Sequence, residues 1–324
     1  MRKLLYVSST LLFSLLISGC FHDDDDNPQP INNENYAGIW SGGFGSDIVE
    51  DGDAGLFSIA NNGETYFFSL GNGDIAFTAT YEEKLASEIY EAQEIVDFLG
   101  EAGTGLCEEY EEAGFITDCS EITAANLDSI VGPALQGTDI NWYRAPPVFV
   151  EGDPVFGTFE NVSAGPEVPI HLGFAILDEG VADFYITEID QAQLTPSTPL
   201  ENAEIGEGGG TFLSPSSDDP VLLSALEGDW AAIDKPAGIE IQPDGSFDGG
   251  DISECIYEGQ ITERENDAAI FDATLTVDCD GSPFDGAYTG IAAVYLDEGF
   301  LQLVVTRSGG FMISQGFQLS FVIL

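Results

Sequence analysis

The chain has 324 residues, of which 58 are Asp or Glu and only 7 are Lys or Arg, for a formal net charge of −51. Such a charge suggests an unfolded polymer, but 44% hydrophobic residues and a mean hydropathy of +0.05 argue for a buried core. So few cations cannot build the basic face that displaces counterions from a polyphosphate, which excludes nucleic acid as a partner, and anionic lipid surfaces repel the body of the protein. The length accommodates two domains of ordinary size.

Arg2 and Lys3 precede an apolar run from Leu4 to Ile17, and Ser18 and Gly19 then lead to Cys20. The run is too short to span a bilayer as a helix, and its order is that of a secretory signal over residues 1–19. Leu16-Ile17-Ser18-Gly19-Cys20 resembles the lipobox of bacterial lipoproteins. That resemblance implies cleavage before Cys20, acylation of its thiol, and attachment to a membrane through several acyl chains. Phe21 stands where an Asp would resemble the inner-membrane retention signal of Gram-negative lipoproteins. The outer membrane is therefore implied, with the body facing the periplasm rather than the cell surface. Residues 20–35, with Asp23 to Asp26 followed by Pro28 and Pro30, read as a solvated acidic tether.

A first β-barrel domain is expected over residues 36–194, opening with Gly38-Ile39-Trp40. Asp47, Glu50, Asp51 and Asp53 then crowd one loop, and oxygen ligands on a flexible loop are what calcium takes. Asp244, Asp248 and Asp251, and Asp278, Asp280 and Asp285, make similar clusters later in the chain. Calcium is the one cofactor this composition suggests, and none of the clusters follows a defined calcium-loop motif.

Tyr81, Leu85, Ile89, Ala92, Val96 and Leu99 recur in steps of four and three, which predicts an amphipathic helix ended by Gly100. Further helices are predicted over Leu106–Ala113 and Ser120–Val131. These form a helical insertion at about 85–137 on the first barrel. With Cys20 set aside, the even number of remaining cysteines in an exported protein reads as two disulfides. Sequence proximity favours Cys107–Cys119, within the insertion, and Cys255–Cys279 over the crossed pairings. Trp142-Tyr143-Arg144 follows the insertion and offers an amphipathic patch for contact with a partner, against the alternative that Trp142 packs on its own barrel.

Residues 195–222, with Thr195-Pro196-Ser197-Thr198-Pro199 and Gly208-Gly209-Gly210, read as a linker. The second domain, 223–324, repeats the marks of the first. Gly228-Asp229-Trp230 matches Gly38-Ile39-Trp40, and Leu296-Asp297-Glu298-Gly299 matches Leu177-Asp178-Glu179-Gly180. Phe271, Ala273, Leu275, Val277 and Cys279 alternate with polar residues, the period of a half-buried strand. Pairing it about Asp267 with the strand from Cys255 to Arg264 sets Cys255 opposite Cys279, Tyr257 opposite Val277 and Ile261 opposite Ala273. About eight strands are predicted in this half. The fold class is therefore mainly β: two tandem small antiparallel barrels, the first with an α-helical insertion.

Gly-x-Trp on the first strand, with Arg307 before the last, resembles the barrel-end signature of lipocalins, in which the Arg covers the Trp. The size of the repeat is closer to the small barrels of Gram-negative envelope lipoproteins. A barrel this narrow is normally filled by its own side chains. Neither a Gly-x-Ser-x-Gly elbow nor a His-Glu-x-x-His helix is present. Of the two histidines His22 sits in the tether, and His171 reads as an edge or packing residue. The expected function is accordingly non-catalytic: an outer-membrane lipoprotein that serves as an envelope binding or interaction module, its partner unspecified (another envelope protein is one candidate) and contacted by residues 85–147. The alternative is a carrier of a small apolar ligand in the first barrel, lined by Phe57, Phe67 and Phe77.

Overall fold

The computed structural model describes residues 37–43, 54–69, 75–93, 95–96, 122–131, 134–145, 157–161, 170–178, 181–187, 207–212, 221–233, 236–264, 269–295 and 299–320. The first part of the chain contributes β1 (Gly38–Gly43), β2 (Ala54–Ile59), β3 (Glu64–Ser69), β4 (Ile75–Lys84), α1 (Ala86–Ile89), α2 (Leu127–Val131), β5 (Ala134–Arg144), β6 (Gly157–Asn161), β7 (Ile170–Asp178), β8 (Val181–Thr187) and β9 (Glu207–Phe212). The remainder contributes a 3-10 turn (Leu223–Leu226), β10 (Gly228–Ala232), β11 (Ala237–Ile241), β12 (Ser246–Asp251), β13 (Ile256–Glu263), β14 (Ile270–Asp278), β15 (Gly286–Tyr295), β16 (Phe300–Arg307) and β17 (Phe311–Leu319).

Strands β10 to β17 pair antiparallel in sequence order, and β10 returns to β17 to close an eight-stranded barrel. Its interior follows from alternation. Along β14, Phe271, Ala273, Leu275 and Val277 are buried while Asp272, Thr274, Thr276 and Asp278 are exposed. The inward residues of the other strands join them in one cluster with Trp230, Ile239, Phe247, Tyr257, Tyr288, Leu303 and Phe317. Gly259 is required at its inward position, because a Cβ there would lie 2.1 Å from the Thr274 carbonyl oxygen and 2.2 Å from the Phe247 ring.

Both ends of the barrel are closed. At one end the Trp230 indole donates to the Leu226 carbonyl of the 3-10 turn at 2.8 Å. At the other, Phe284 and Phe311 meet edge to face at 5.4 Å, and Tyr288 donates to the Phe284 carbonyl at 2.7 Å. Arg307 lies over Tyr288 and Phe311 and donates to the carbonyls of Asp285 and Pro283.

The Cys255–Cys279 disulfide is present, and Tyr257 faces Val277 and Ile261 faces Ala273, the register expected from pairing about Asp267. Closing a loop with a sequence separation of 24 restricts the unfolded chain by about 3 kcal/mol. Replacing both cysteines with alanine should lower the unfolding free energy of the barrel by that order, read from denaturant titration of the double variant.

The outer surface of the barrel has two characters. On β10 to β13, Asp229, Glu240, Asp248 and Glu258 stand directly opposite one another in a row, all exposed. On β14 to β17 the outward residues Ile270, Ile291, Ala293, Val304 and Met312 are buried. They pack against Ile39, Leu56, Tyr66, Phe68, Ala76, Tyr143 and Phe159 of the first part of the chain. Burial on both faces is why Ile291 to Val294 and Leu301 to Val305 read as unbroken buried runs rather than alternating ones.

The first part of the chain is also an antiparallel sheet. β1 pairs with β2, β2 with β3, β3 with β4, β4 with β5, β5 with β7, β7 with β8, β8 with β9, and β9 with β1. β6 pairs with the end of β5 on one side and with Phe311–Ser314 of β17 on the other. Hydrogen bonding is thus continuous between the two parts.

Three sequence expectations are corrected here. Tyr81 to Lys84 is strand, not helix, because Phe77, Ala79 and Tyr81 obey the period of two on β4. The far end of the expected insertion, Ala134 to Gly137, is likewise the start of β5. Within the segment 195–222 expected as linker, Glu207–Phe212 is a strand paired to β1 and β8.

Candidate functional site

The face of the β1–β5 sheet turned away from the barrel carries the residues of most chemical interest. Directly paired positions put Trp40, Phe57, Phe67, Phe77 and Trp142 in one row across the five strands. Phe57 and Phe67 lie 4.5 Å apart, Phe67 and Phe77 5.0 Å, and Phe77 and Trp142 5.1 Å. The three phenylalanines expected to line a cavity therefore contact one another, as a wall of stacked and tilted rings.

Beyond this row the β4–β5 pairing shifts register between Thr78 and Thr80. Asp139, on the bulged side, adopts φ +50°, a conformation that few residues other than glycine take. Past the bulge Tyr81 faces Gly137. Tyr81 and Trp142 are 4% and 6% exposed, yet the Tyr81 hydroxyl and the Trp142 Nε1–H have no hydrogen-bond partner among the described residues. Burial, with Tyr90 beside it, holds the Tyr81 phenol protonated far above its usual range. An unpaired buried donor costs about 1–3 kcal/mol.

The barrel formed by β10 to β17 treats its inward polar groups differently. Trp230 donates to Leu226, Tyr288 to Phe284, and the Tyr257 hydroxyl to the Asp251 carboxylate at 2.6 Å. Burial pushes the Tyr288 phenol up to about 12, so it too remains a donor at neutral pH.

At the Lys84–Ala134 end of the sheet, α1 and α2 lie together. Ser87 donates through its backbone N–H and its hydroxyl to the Asp128 carboxylate at 2.7 and 3.0 Å. Ala86 and Leu127 are fully buried beneath them, while Leu85 is 58% exposed. Cys107 and Cys119 lie outside the described residues, as do Cys20 and the whole segment before residue 37.

Trp142 and Tyr143 are thus buried on opposite faces of β5. Trp142 lies on the aromatic wall and Tyr143 in the contact with the barrel, so neither is offered to an external partner as an exposed anchor. Arg144 is half-buried at the end of β5, on the same face as Trp142. It makes no ion pair or side-chain hydrogen bond among the described residues. The other described cations are engaged: Lys84 with Glu82 at 3.2 Å, Arg264 with Glu64 and Asp272, and Arg307 with backbone carbonyls.

Arg264 joins the two parts of the chain. Its guanidinium, 9% exposed, meets Glu64 of β3 at 2.7 Å and Asp272 of β14 at 3.4 Å. Burial alone would raise the Glu64 pKa, but hydrogen bonds from Tyr66, Arg264 and Asn62 and the charge of Arg264 together hold it below the usual carboxylate range. A carboxylate whose pKa is depressed on folding contributes stability above its unfolded pKa, and that contribution is lost as pH falls through the folded one. Glu64→Gln should therefore destabilise the protein by about 1 kcal/mol at neutral pH, after allowance for solvent screening. The difference from the parent should vanish in acid below the depressed pKa, which thermal unfolding across pH will show.

Of the acidic clusters expected to bind calcium, Asp47, Glu50, Asp51 and Asp53 lie outside the described residues. In the other two clusters Asp244, Asp251 and Asp285 serve turns, while Asp248 and Asp278 are exposed strand residues. Asp244 accepts from the Ser246 hydroxyl at 2.6 Å, Asp251 from the backbone N–H groups of Ser253 and Cys255, and Asp285 from that of Cys279 at 2.6 Å. Among the described residues no group of three or more His, Cys, Asp or Glu side chains is placed to hold a metal ion. His171 pairs through β7 with Gln136 and Thr187. The expected lipocalin-type cover of Trp by Arg does not form, because Trp230 pairs with Leu319 and Arg307 with Phe311, at opposite ends of β17.

Comparison with known protein families, curated proteins and solved structures finds no match to this chain. Sequence reading singled out Trp142 but missed Tyr81 as a strand residue and Arg264 as the clamp. The signal for Tyr81 was available in the alternation Phe77, Ala79, Tyr81. The sequence carried none for Arg264, whose partner Glu64 lies 200 residues away.

Proposed function

We propose that this protein is a non-catalytic, lipid-anchored protein of the outer membrane that binds another envelope protein. In this reading it consists of two tandem barrels, the first with a helical insertion. The pairings of the first part run from β1 through β5, β7, β8 and β9 and back to β1, which makes eight strands in a ring. Numbered within each ring, a Gly-x-Trp opens strand one in both, and Leu-Asp-Glu-Gly joins strands six and seven in both. The connection between strands four and five is residues 264–269 in the second ring and 85–133 in the first, where α1 and α2 lie. Cys20 would carry the acyl chains, and residues 20–35 would hold the body off the membrane.

The observation that carries the reading is the filled and closed interior of the second ring. It leaves the exterior to make contact, and the insertion is where the exterior of the first ring departs from that of the second. Native mass spectrometry on the full lipoprotein, gently extracted from its membrane, tests it. A co-purifying protein, absent when residues 85–133 are deleted from a chain that still melts cooperatively, is expected. A lipoprotein recovered alone overturns the reading. In the same spectra an unacylated N-terminus would remove the anchor.

A second reading, a carrier of a small apolar ligand in the first ring, is favoured by one contrast. Among the described residues the inward Tyr81 and Trp142 of the first ring have no acceptor, whereas Trp230, Tyr257 and Tyr288 of the second have them.

A further inference from the structure

Midway along β17 the strand changes neighbours. Its last residues, Phe317 to Leu319, pair with β10 and close the barrel, whereas Phe311 to Ser314 pair with β6 of the first part of the chain. Gln315 sits at this fork, 6% exposed. Its side-chain amide donates to the Ile233 carbonyl at 3.4 Å and to that of Gly316 at 2.7 Å, and its Oε1 accepts from the Gly157 N–H at 3.4 Å. One side chain thus stands in for backbone bonds that the parting strands leave unmade.

β6 is lightly held at the fork. Against its own sheet it pairs only through Glu160 and Asn161, opposite Arg144 and Tyr143. Phe159 is its one large apolar anchor, and the Thr158 hydroxyl beside it, 1% exposed, has no hydrogen-bond partner among the described residues. A buried hydroxyl without a partner works against the strand's seating. Residues 145–156 and 162–169 tie β6 to β5 and β7, and chains of that length reach ~40 Å and ~26 Å at full extension. β6 can therefore leave its place without drawing β5 or β7 from theirs.

The seam that β6 fills is shaped for this strand. A Cβ at Gly157 would lie 2.7 Å from the Ser314 carbonyl oxygen, and one at Gly310 would lie 2.6 Å from the Asn161 Cβ. Glycine is thus required on both sides, two residues before the aromatic anchor on β6 and at the turn into β17. The Phe159 ring fills the shared cluster with Ile39, Leu56 and Met312. We propose that the Phe311–Ser314 edge of one copy takes β6 of a second copy and gives up its own in return, so that the partner this edge fits is the chain itself. Exchange of an identical element keeps every contact of the seam and adds only the cost of association. Within one chain the two connections hold β6 near the edge at an effective concentration on the order of 1 mM. Single chains prevail when dilute, and the exchanged pair forms as the protein approaches that concentration. The proposal is independent of any partner bound through residues 85–133.

Equal amounts of unlabelled and nitrogen-15-labelled full mature chain, unfolded with disulfides intact and refolded together at about 1 mM, test the exchange. After dilution, native mass spectrometry should find dimers of mixed mass, and these should be absent when refolding is about a hundredfold more dilute. Gly157→Ala, which shuts the seam to the strand of either copy, should lower the mixed dimer about tenfold or more and leave a folded monomer. A dimer that survives this substitution undiminished is joined elsewhere and overturns the proposal, as does a parent that stays monomeric at every concentration. Hydrogen exchange in the parent monomer gives a check that needs no variant. The Asn161 N–H, bonded to the Gly310 carbonyl, should exchange about a hundredfold faster than that of Leu275 in β14, as a locally opening strand does. Equal protection of the two would mean that β6 leaves only when the whole barrel unfolds, which overturns the proposal.

Discussion

Val304→Asp is expected to part the two portions of the chain while the β10–β17 barrel stays closed. Val304 is fully buried on the outer face of β16, among Ile270, Ile291, Ala293 and Met312 on one side and Leu56, Phe68, Tyr143 and Phe159 on the other. An unpaired carboxylate there costs about 3–5 kcal/mol, and a chain with a net charge of −51 gives it no cation to recruit nearby. The side chain points away from the barrel interior, so the cluster around Trp230 is untouched. Calorimetry should show one cooperative transition in the parent and two in the variant, the earlier belonging to residues 37–212. A single transition in the variant, shifted as a whole, would mean that the contact is not an independent unit of stability. Raising the salt concentration should not restore the parent behaviour, since the penalty is desolvation rather than long-range repulsion.

Trp230→Ala should instead open the barrel itself. Trp230 is 1% exposed, fills the end of the barrel beside Leu226, Ile239 and Phe317, and closes the 3-10 turn through its indole. Removal of a buried aromatic side chain leaves a cavity worth about 3–5 kcal/mol, and the Leu226 carbonyl loses its donor as well. Trp230→Phe separates the two effects, since it keeps most of the volume and deletes only the hydrogen bond. Its expected loss is about 1–2 kcal/mol. Denaturant titration of both variants measures the pair. Equal losses would assign the stability to the hydrogen bond rather than to packing.

What could be read from the sequence was what depends on a single buried face. The β13–β14 register about Asp267 followed from alternation on two neighbouring strands, and the disulfide fell at its far end without further assumption. The same rule fails for β15, β16 and β17, where outward residues are buried against the first part of the chain. Gln302 shows the cost of that position: it is 2% exposed, and its amide donates to Ser314 at 2.9 Å to remain satisfied. The run Tyr81 to Lys84 satisfied helical and strand periods at once, and the tertiary pairing with Gly137 to Ala134 decided between them. Glu207 to Phe212 was illegible for a different reason. Its glycines carry no hydrophobic signal, although they can pair in a sheet when strands on both sides hold them. At the candidate site, Trp142 stood out by residue type, but its place on the aromatic wall is fixed by four strand registers that no local pattern encodes.

The short strand β6 has a consequence for how the molecule can be divided. Residues 157–161 complete their hydrogen bonding on Phe311–Ser314, more than 140 residues later in the chain. A fragment ending near residue 212 would keep β6 on the end of β5 but without its β17 partner, and one beginning near residue 221 would expose both the β17 edge and the apolar face around Met312. Open edges of this kind invite association with other chains. Neither piece is therefore a ready-made module for transplantation, and a boundary drawn in the intervening segment would cut a shared sheet rather than free a domain.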